Sequence, residues 1–346
     1  MSNKRPEIRS GYTLVEVLLA VTLGLVLMLG VVQMFAMVGN FVTGSQALME
    51  LDQKVRSAQI MLQNDLVRYT SRMTVPADIN SCEGYFRIEE NTQTSNAATQ
   101  DTRLQTFYGN TLTGIAGDDD DILTFTIHDL DSPFIGRDTS GTTTTVVHSP
   151  DAEVKWFVAK NGDGYFSLYR RISVLNPTGN PSQNASGNVK SASLSDLAFT
   201  PGGGRGRGAS ETSYRDTTNT SANADVVLDN IIMFDVKVWD PEHVDPTTNK
   251  TGAYVDLGKG TTFNNQRGNA FDTGSQFKYS PTNLTTAAET GTDNKVVNAP
   301  NPSNFSLPNA KMAGITLQGI QIHVRTFDPT SGIFRDFTVE QEFVTH

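Results

Sequence analysis

The residue with the most chemical leverage in this 346-residue chain is a glutamate in hostile surroundings. From Tyr12 to Val38 the only charged residue is Glu16, and 18 of the 22 residues from Val17 to Val38 are apolar. A carboxylate at the centre of a membrane-spanning helix costs about 2.5–3.5 kcal/mol, and somewhat less near the interface. Glu16 therefore needs a partner, yet no cation follows within one helical turn. Reaching back toward lipid headgroups is the plain structural alternative. A second group of acids runs from Asp118 through Asp119 and Asp120 to Asp121. Calcium accepts such oxygens, but the run lacks the alternating spacing of an EF-hand loop and successive side chains diverge. A solvated turn explains it more simply, leaving the four aspartates as weak calcium candidates.

Other chemistry is sparse. The five histidines, His128, His148, His243, His323 and His346, are scattered. They form no His-Glu-x-x-His metal motif, and the chain has neither a Gly-x-Ser-x-Gly elbow nor a phosphate-binding loop. His323 alternates outward on an expected strand and reads as a surface residue. The single cysteine, Cys82, excludes an intramolecular disulfide framework and a cysteine-based zinc site. A net charge of −10 argues against a groove for nucleic-acid phosphates. The Gly202–Gly208 run has only two arginines and reads as a loop. These features predict a protein that is not an enzyme and carries no cofactor.

The elements that must position Glu16 follow from periodicity. The apolar run from Val17 is long enough for a bilayer core, which takes about 20 residues. Lys4, Arg5 and Arg9 precede it against one acid, Glu7, so the amino terminus is expected in the cytoplasm and the rest of the chain across the membrane. A cleaved secretory signal would be shorter, and Gly39-Asn40-Phe41 makes a poor exit site. Beyond it, Leu48, Leu51, Val55, Ala58, Leu62, Leu66 and Tyr69 recur at spacings of three and four, which predicts an amphipathic continuation over 40–75, ended by Pro76. Gly39 and Gly44 could loosen the helix near the membrane boundary.

After residue 76 the period changes to two. Ile122–Ile127 and Ile320–Arg325 alternate, and Ala152–Lys160 and Tyr165–Leu175 flank Asn161-Gly162-Asp163-Gly164, a hairpin signal. Val226–Trp239 and Phe334–Val344 complete at least six strands, with Asp240-Pro241 and Asp328-Pro329 as stops. Two polar stretches, about 176–224 and 242–311, read as long loops. The expected fold is α+β: a long N-terminal transmembrane and amphipathic helix packed on an antiparallel sheet in the exported domain, 76–346.

The stretch Ser10-Gly11-Tyr12-Thr13-Leu14-Val15-Glu16 followed by Val17-Leu18-Leu19-Ala20 resembles the type IV prepilin cleavage and methylation motif. In that family a short basic leader ends in Gly, an aromatic residue follows, and a Glu lies four positions on. The match covers roughly the first 40 residues, and Tyr12 stands where Phe is usual. The resemblance implies a leader at 1–11, a transmembrane and filament-core helix at 12–39, and a pilin-like fold. A prepilin peptidase would cut between Gly11 and Tyr12 and N-methylate Tyr12. Glu16 would pair with the terminal amine of a neighbouring subunit and set axial register. Without residues 1–11, which carry three cations and one acid, the chain stands at −12.

The implied partners are that peptidase, other pilins or pseudopilins and an inner-membrane assembly platform, with power from a separate ATPase. The implied place is the inner membrane in a single pass, with the C-terminal domain periplasmic or extracellular, and a filament after assembly. Size favours a tip or initiation subunit, and the long helix, sheet, long inserted loops and closing pair of strands resemble the larger minor pilins or pseudopilins of the J or W type, in a type IV pilus or a type II secretion pseudopilus. Glu16 argues against the K-type tip subunit. Some pseudopilins bind calcium in loops, which keeps Asp118–Asp121 in view. The alternative is a membrane-anchored adhesin or surface-binding protein using the Thr/Asn-rich loops.

Overall fold

The computed structural model describes residues 13–75, 83–89, 118–119, 121–138, 144–177, 188–190, 223–244, 251–256, 270–273 and 315–343, with single positions at 103, 104, 108, 192, 194 and 197. Outside these lie Gly11, Tyr12, Pro76, Cys82, Asp120, His346 and most of both polar stretches. The chain divides into two compact units, residues 1–51 and 52–346.

Helix α1, Leu14–Val67, begins in the first unit and ends in the second. Its interior holds no proline, and it runs through Gly39 and Gly44 as one helix. Within the second unit, Val55, Ala58, Leu62 and Leu66 are buried at spacings of three and four, as the sequence predicts, and Asp65 is buried with them. The helix ends at Val67, short of Pro76, because strand pairing captures the chain. Arg68 N–H donates to the Asp65 carbonyl at 3.1 Å, His128 N–H donates to the Arg68 carbonyl, and Thr70 N–H donates to the Thr126 carbonyl, both at 3.0 Å.

Fifteen strands follow among the described residues. The first eight are β1 Thr74–Val75, β2 Phe86–Glu89, β3 Ile122–His128, β4 Phe134–Asp138, β5 Thr145–Ser149, β6 Asp151–Lys160, β7 Phe166–Leu175 and β8 Val189–Lys190. The others are β9 Asp225–Asp229, β10 Ile231–Val244, β11 Thr251–Val255, β12 Ala270–Asp272, β13 Ile315–Thr316, β14 Gly319–Phe327 and β15 Phe334–Glu342. The larger sheet runs β12-β2-β3-β6-β7-β8, with β9 also paired to β7. Among the described strands, only β7 and β8 pair parallel. A second sheet runs β11-β10-β14-β15, and β1-β13 and β4-β5 form ribbons. The architecture is α+β with antiparallel sheets, two principal ones where one was expected.

Local chemistry explains the boundaries. In the β6–β7 turn, Asn161 Oδ1 accepts from Asp163 N–H and Tyr165 N–H, both at 3.0 Å, and Gly164 takes φ +83°. The single run expected over Val226–Trp239 is two strands, since Asn230 at φ 55° redirects the chain from the larger sheet into the smaller. Asp240-Pro241 does not stop β10. The strand runs on to Val244 with its register shifted between Asp240 and Val244, a bulge that tolerates proline. Asp328-Pro329 does end β14, and the Asp328 carboxylate accepts from Thr330 N–H, Ser331 N–H and Ser331 Oγ. Phe343 stands edge-on to Tyr69 at 5.2 Å and to Phe86 at 5.5 Å, fastening the C-terminal segment to the helix exit and the larger sheet.

Candidate functional site

The start of α1 is the candidate site, built from residues three positions apart. Thr13 precedes the helix and Glu16 occupies its first turn. Glu16 Oε2 accepts from Thr13 N–H at 2.9 Å and from Thr13 Oγ1 at 3.0 Å, while Glu16 N–H donates to Thr13 Oγ1 at 3.4 Å. This is a capping box, in which each residue satisfies an amide of the other that the helix leaves without a partner. The acid also lies at the positive end of the helix dipole. Glu16 therefore has a partner within its own chain. The sequence carries that signal as Thr13-x-x-Glu16, a pattern independent of any cation.

Downstream, the helix presents apolar side chains on every side. Leu14, Val17, Leu23, Leu27, Val31, Phe35 and Val38 are all more than half exposed, from 52% at Val31 and Val38 to 76% at Leu14. No part of its most apolar 18-residue window is buried by the chain, and the helix is long and apolar enough to cross a membrane. What this arrangement can do is physical: enter lipid, or pack against other apolar helices.

The second candidate, the acidic run, is placed differently from a solvated turn. The Asp118 carbonyl accepts from Phe234 N–H at 2.7 Å and Asp121 Oδ2 accepts from Val236 N–H at 2.6 Å, so the segment is docked along β10. Asp119 and Asp121 are buried. Both carry further interactions within the protein. The nearby charge is organised around Lys237, whose Nζ lies 2.7 Å from Asp256 and 3.1 Å from Asp235. Burial pushes the Asp235 carboxyl above its ordinary range, and Asp256 and Asp118 add to this against the pull of Lys237. Burial opposes the Lys237 ammonium, but Asp256 and Asp235 outweigh it and hold its pKa above the ordinary value. Among the described residues, no group of three or more His, Cys, Asp or Glu could hold a metal ion.

Two buried polar clusters escaped sequence reasoning altogether. Asp65 takes a bidentate pair from Arg170, at 2.7 Å to Nε and 2.5 Å to Nη2, and a third bond from Trp156 Nε1 at 3.0 Å. It joins α1 to strands β6 and β7. On the opposite side of β6, Glu153 accepts from both Tyr85 Oη and Lys190 Nζ. Burying charge is tolerated in each because the geometry satisfies it. His128 pairs with Asp151 at 2.6 Å, and His323 with Asp336 at 3.2 Å on a partly open sheet face.

Neither a protein-family model, nor a curated protein, nor a solved structure matches this chain.

Proposed function

We propose that the chain is a minor type IV pilin or pseudopilin, a structural subunit and not an enzyme. It is cut by a prepilin peptidase between Gly11 and Tyr12 and built into a filament through its N-terminal helix. The observation that carries this reading is the order Gly11, Tyr12, Glu16 at the head of a helix whose apolar side chains point outward on every side. A helix of that kind suits two environments in turn, lipid before assembly and a bundle of like helices afterward. Leader charge favours a cytoplasmic amino terminus, with the sheet domain on the far side of the inner membrane.

The capping box refines the part Glu16 plays. In the uncut chain its carboxylate is engaged by Thr13, so the acid is accommodated while the protein waits in the membrane. Cutting creates a cationic amine at Tyr12. The amine of a neighbouring subunit then competes with Thr13 for the same carboxylate, so the exchange fixes position more than it adds net stability. The test is co-expression with a prepilin peptidase and mass spectrometry of the product. Loss of 11 residues and a methylated Tyr12 are expected, and Gly11→Ala should slow the cut because the protease site needs close backbone approach. Retention of Met1, or unaltered processing of the Gly11 variant, would defeat the reading.

A further inference from the structure

One end of the four-stranded sheet carries an aromatic corner beside an exposed carboxylate. Trp239 on β10 and Tyr254 on β11 are direct cross-strand partners, with ring centroids 5.1 Å apart and planes at 68°. Two glycines seat them. Gly252 has φ +85°, and a Cβ there would come within 2.7 Å of the indole, so Trp239 lies over bare backbone. A Cβ at Gly319 would come within 3.4 Å of Tyr254 Oη, so the phenol reaches across β10 toward β14. Both aromatic residues are half-buried. The edge-to-face pair places aromatic surface at this end of the sheet, and ring faces attract cations.

The neighbouring charge has the matching sign. Glu342 is the cross-strand partner of Gly319, and Glu340 that of Gln321. Both carboxylates are exposed, and after burial their charges are what raise the Tyr254 phenol above its ordinary pKa. Glu340 accepts from Gln321 Nε2 at 2.7 Å, whereas the Glu342 carboxylate has no hydrogen bond or ion pair among the described residues. Lys237, one row along the same face, is already held by Asp235 and Asp256.

We propose that this corner binds the arginine side chain of a partner protein. A guanidinium stacks on a ring face while its N–H fork meets a carboxylate, which uses both features at once. A neutral sugar would need the rings but not the neighbouring charge of Glu342. None of these residues belongs to the N-terminal helix, so the proposal stands or falls apart from the filament reading.

The chain has two tryptophans, and Trp156 lies in the core. The full chain in detergent micelles, labelled with 5-fluorotryptophan, therefore gives one resonance for the corner and one internal control, assigned through Trp239→Phe. Titration with Nα-acetyl-arginine methylamide should move the Trp239 resonance saturably and leave that of Trp156 in place. The exposed double variant Glu340→Gln/Glu342→Gln should raise half-saturation about tenfold or more, with the Trp156 resonance at its original position. An unmoved Trp239 resonance, an equal response to acetyl-norleucine methylamide or cellobiose, or undiminished binding by the double variant would overturn the proposal.

Discussion

Two stretches of one helix meet opposite fates. From Leu14 to Val38 apolar residues occupy every side and stand exposed, whereas from Asp52 to Val67 one side is buried, at Val55, Ala58, Leu62 and Leu66, while Ile60 and Val67 stay exposed. The polar anchors differ in kind as well. Glu16 makes its bonds within its own helical turn, while Asp65 makes them to residues 91 and 105 positions away. Helical geometry is common to both. What differs is burial: the protein's own fold takes the second stretch out of water, and the first stretch is not buried by the chain.

The sharpest way to break this contrast is to remove the anchor of the buried stretch. Asp65→Ala leaves the Arg170 guanidinium inside without its carboxylate, and such a loss costs about 3–5 kcal/mol. Urea unfolding of the full chain in detergent, followed by Trp156 fluorescence, should show it. Leu62→Ala removes a fully buried side chain and should cost about 2–5 kcal/mol in the same assay. Leu25→Ala, in the exposed stretch, should leave that transition where it was. Equal effects of the two substitutions would end the distinction.

The converse experiment puts a charge in the exposed stretch. Leu27→Arg should lower membrane insertion by about 2.5–3.5 kcal/mol, read as partition between membrane and soluble fractions, with little change in the urea midpoint of the sheet domain. At the helix start, Thr13→Ala removes a cap worth about 1 kcal/mol. Glu16→Gln keeps the capping geometry but not the charge, and Glu16→Leu loses both. If register depends on charge, both Glu16 variants stay in the membrane and fail to enter filaments; incorporation of the Gln variant would reduce Glu16 to a cap. The smallest effect should come from Ile60→Ala, on the outward side of the second stretch, within about 0.5 kcal/mol of no change.

Much of the second stretch was legible because burial on one face imposes a period that residue types reveal. The β6–β7 and β14–β15 hairpins were legible for a similar reason: alternating side chains end at turn residues whose backbone needs are local, such as Asn161 and Asp328. The division of Val226–Trp239 at Asn230 was not legible. An asparagine between apolar residues carries no statement of which sheet each side will join. Nor was the docking of the acidic run, since Asp121 looks solvated until Val236 is brought beside it. The cap at Thr13 and Glu16 is legible as Thr-x-x-Glu, because both partners lie within four residues.

By itself the sequence determined what depends on neighbours along the chain: a helix of extreme apolarity, its capping box, the one-sided stripe that follows, and the turns between paired strands. These are set by dihedral preference and side-chain spacing, which act over a few residues. Only the tertiary structure decided where α1 stops, which sheet each strand joins, and that Asp65, Arg170 and Trp156 meet in the interior. Those outcomes depend on contacts between residues about a hundred positions apart, whose geometry exists only once the sheets have formed.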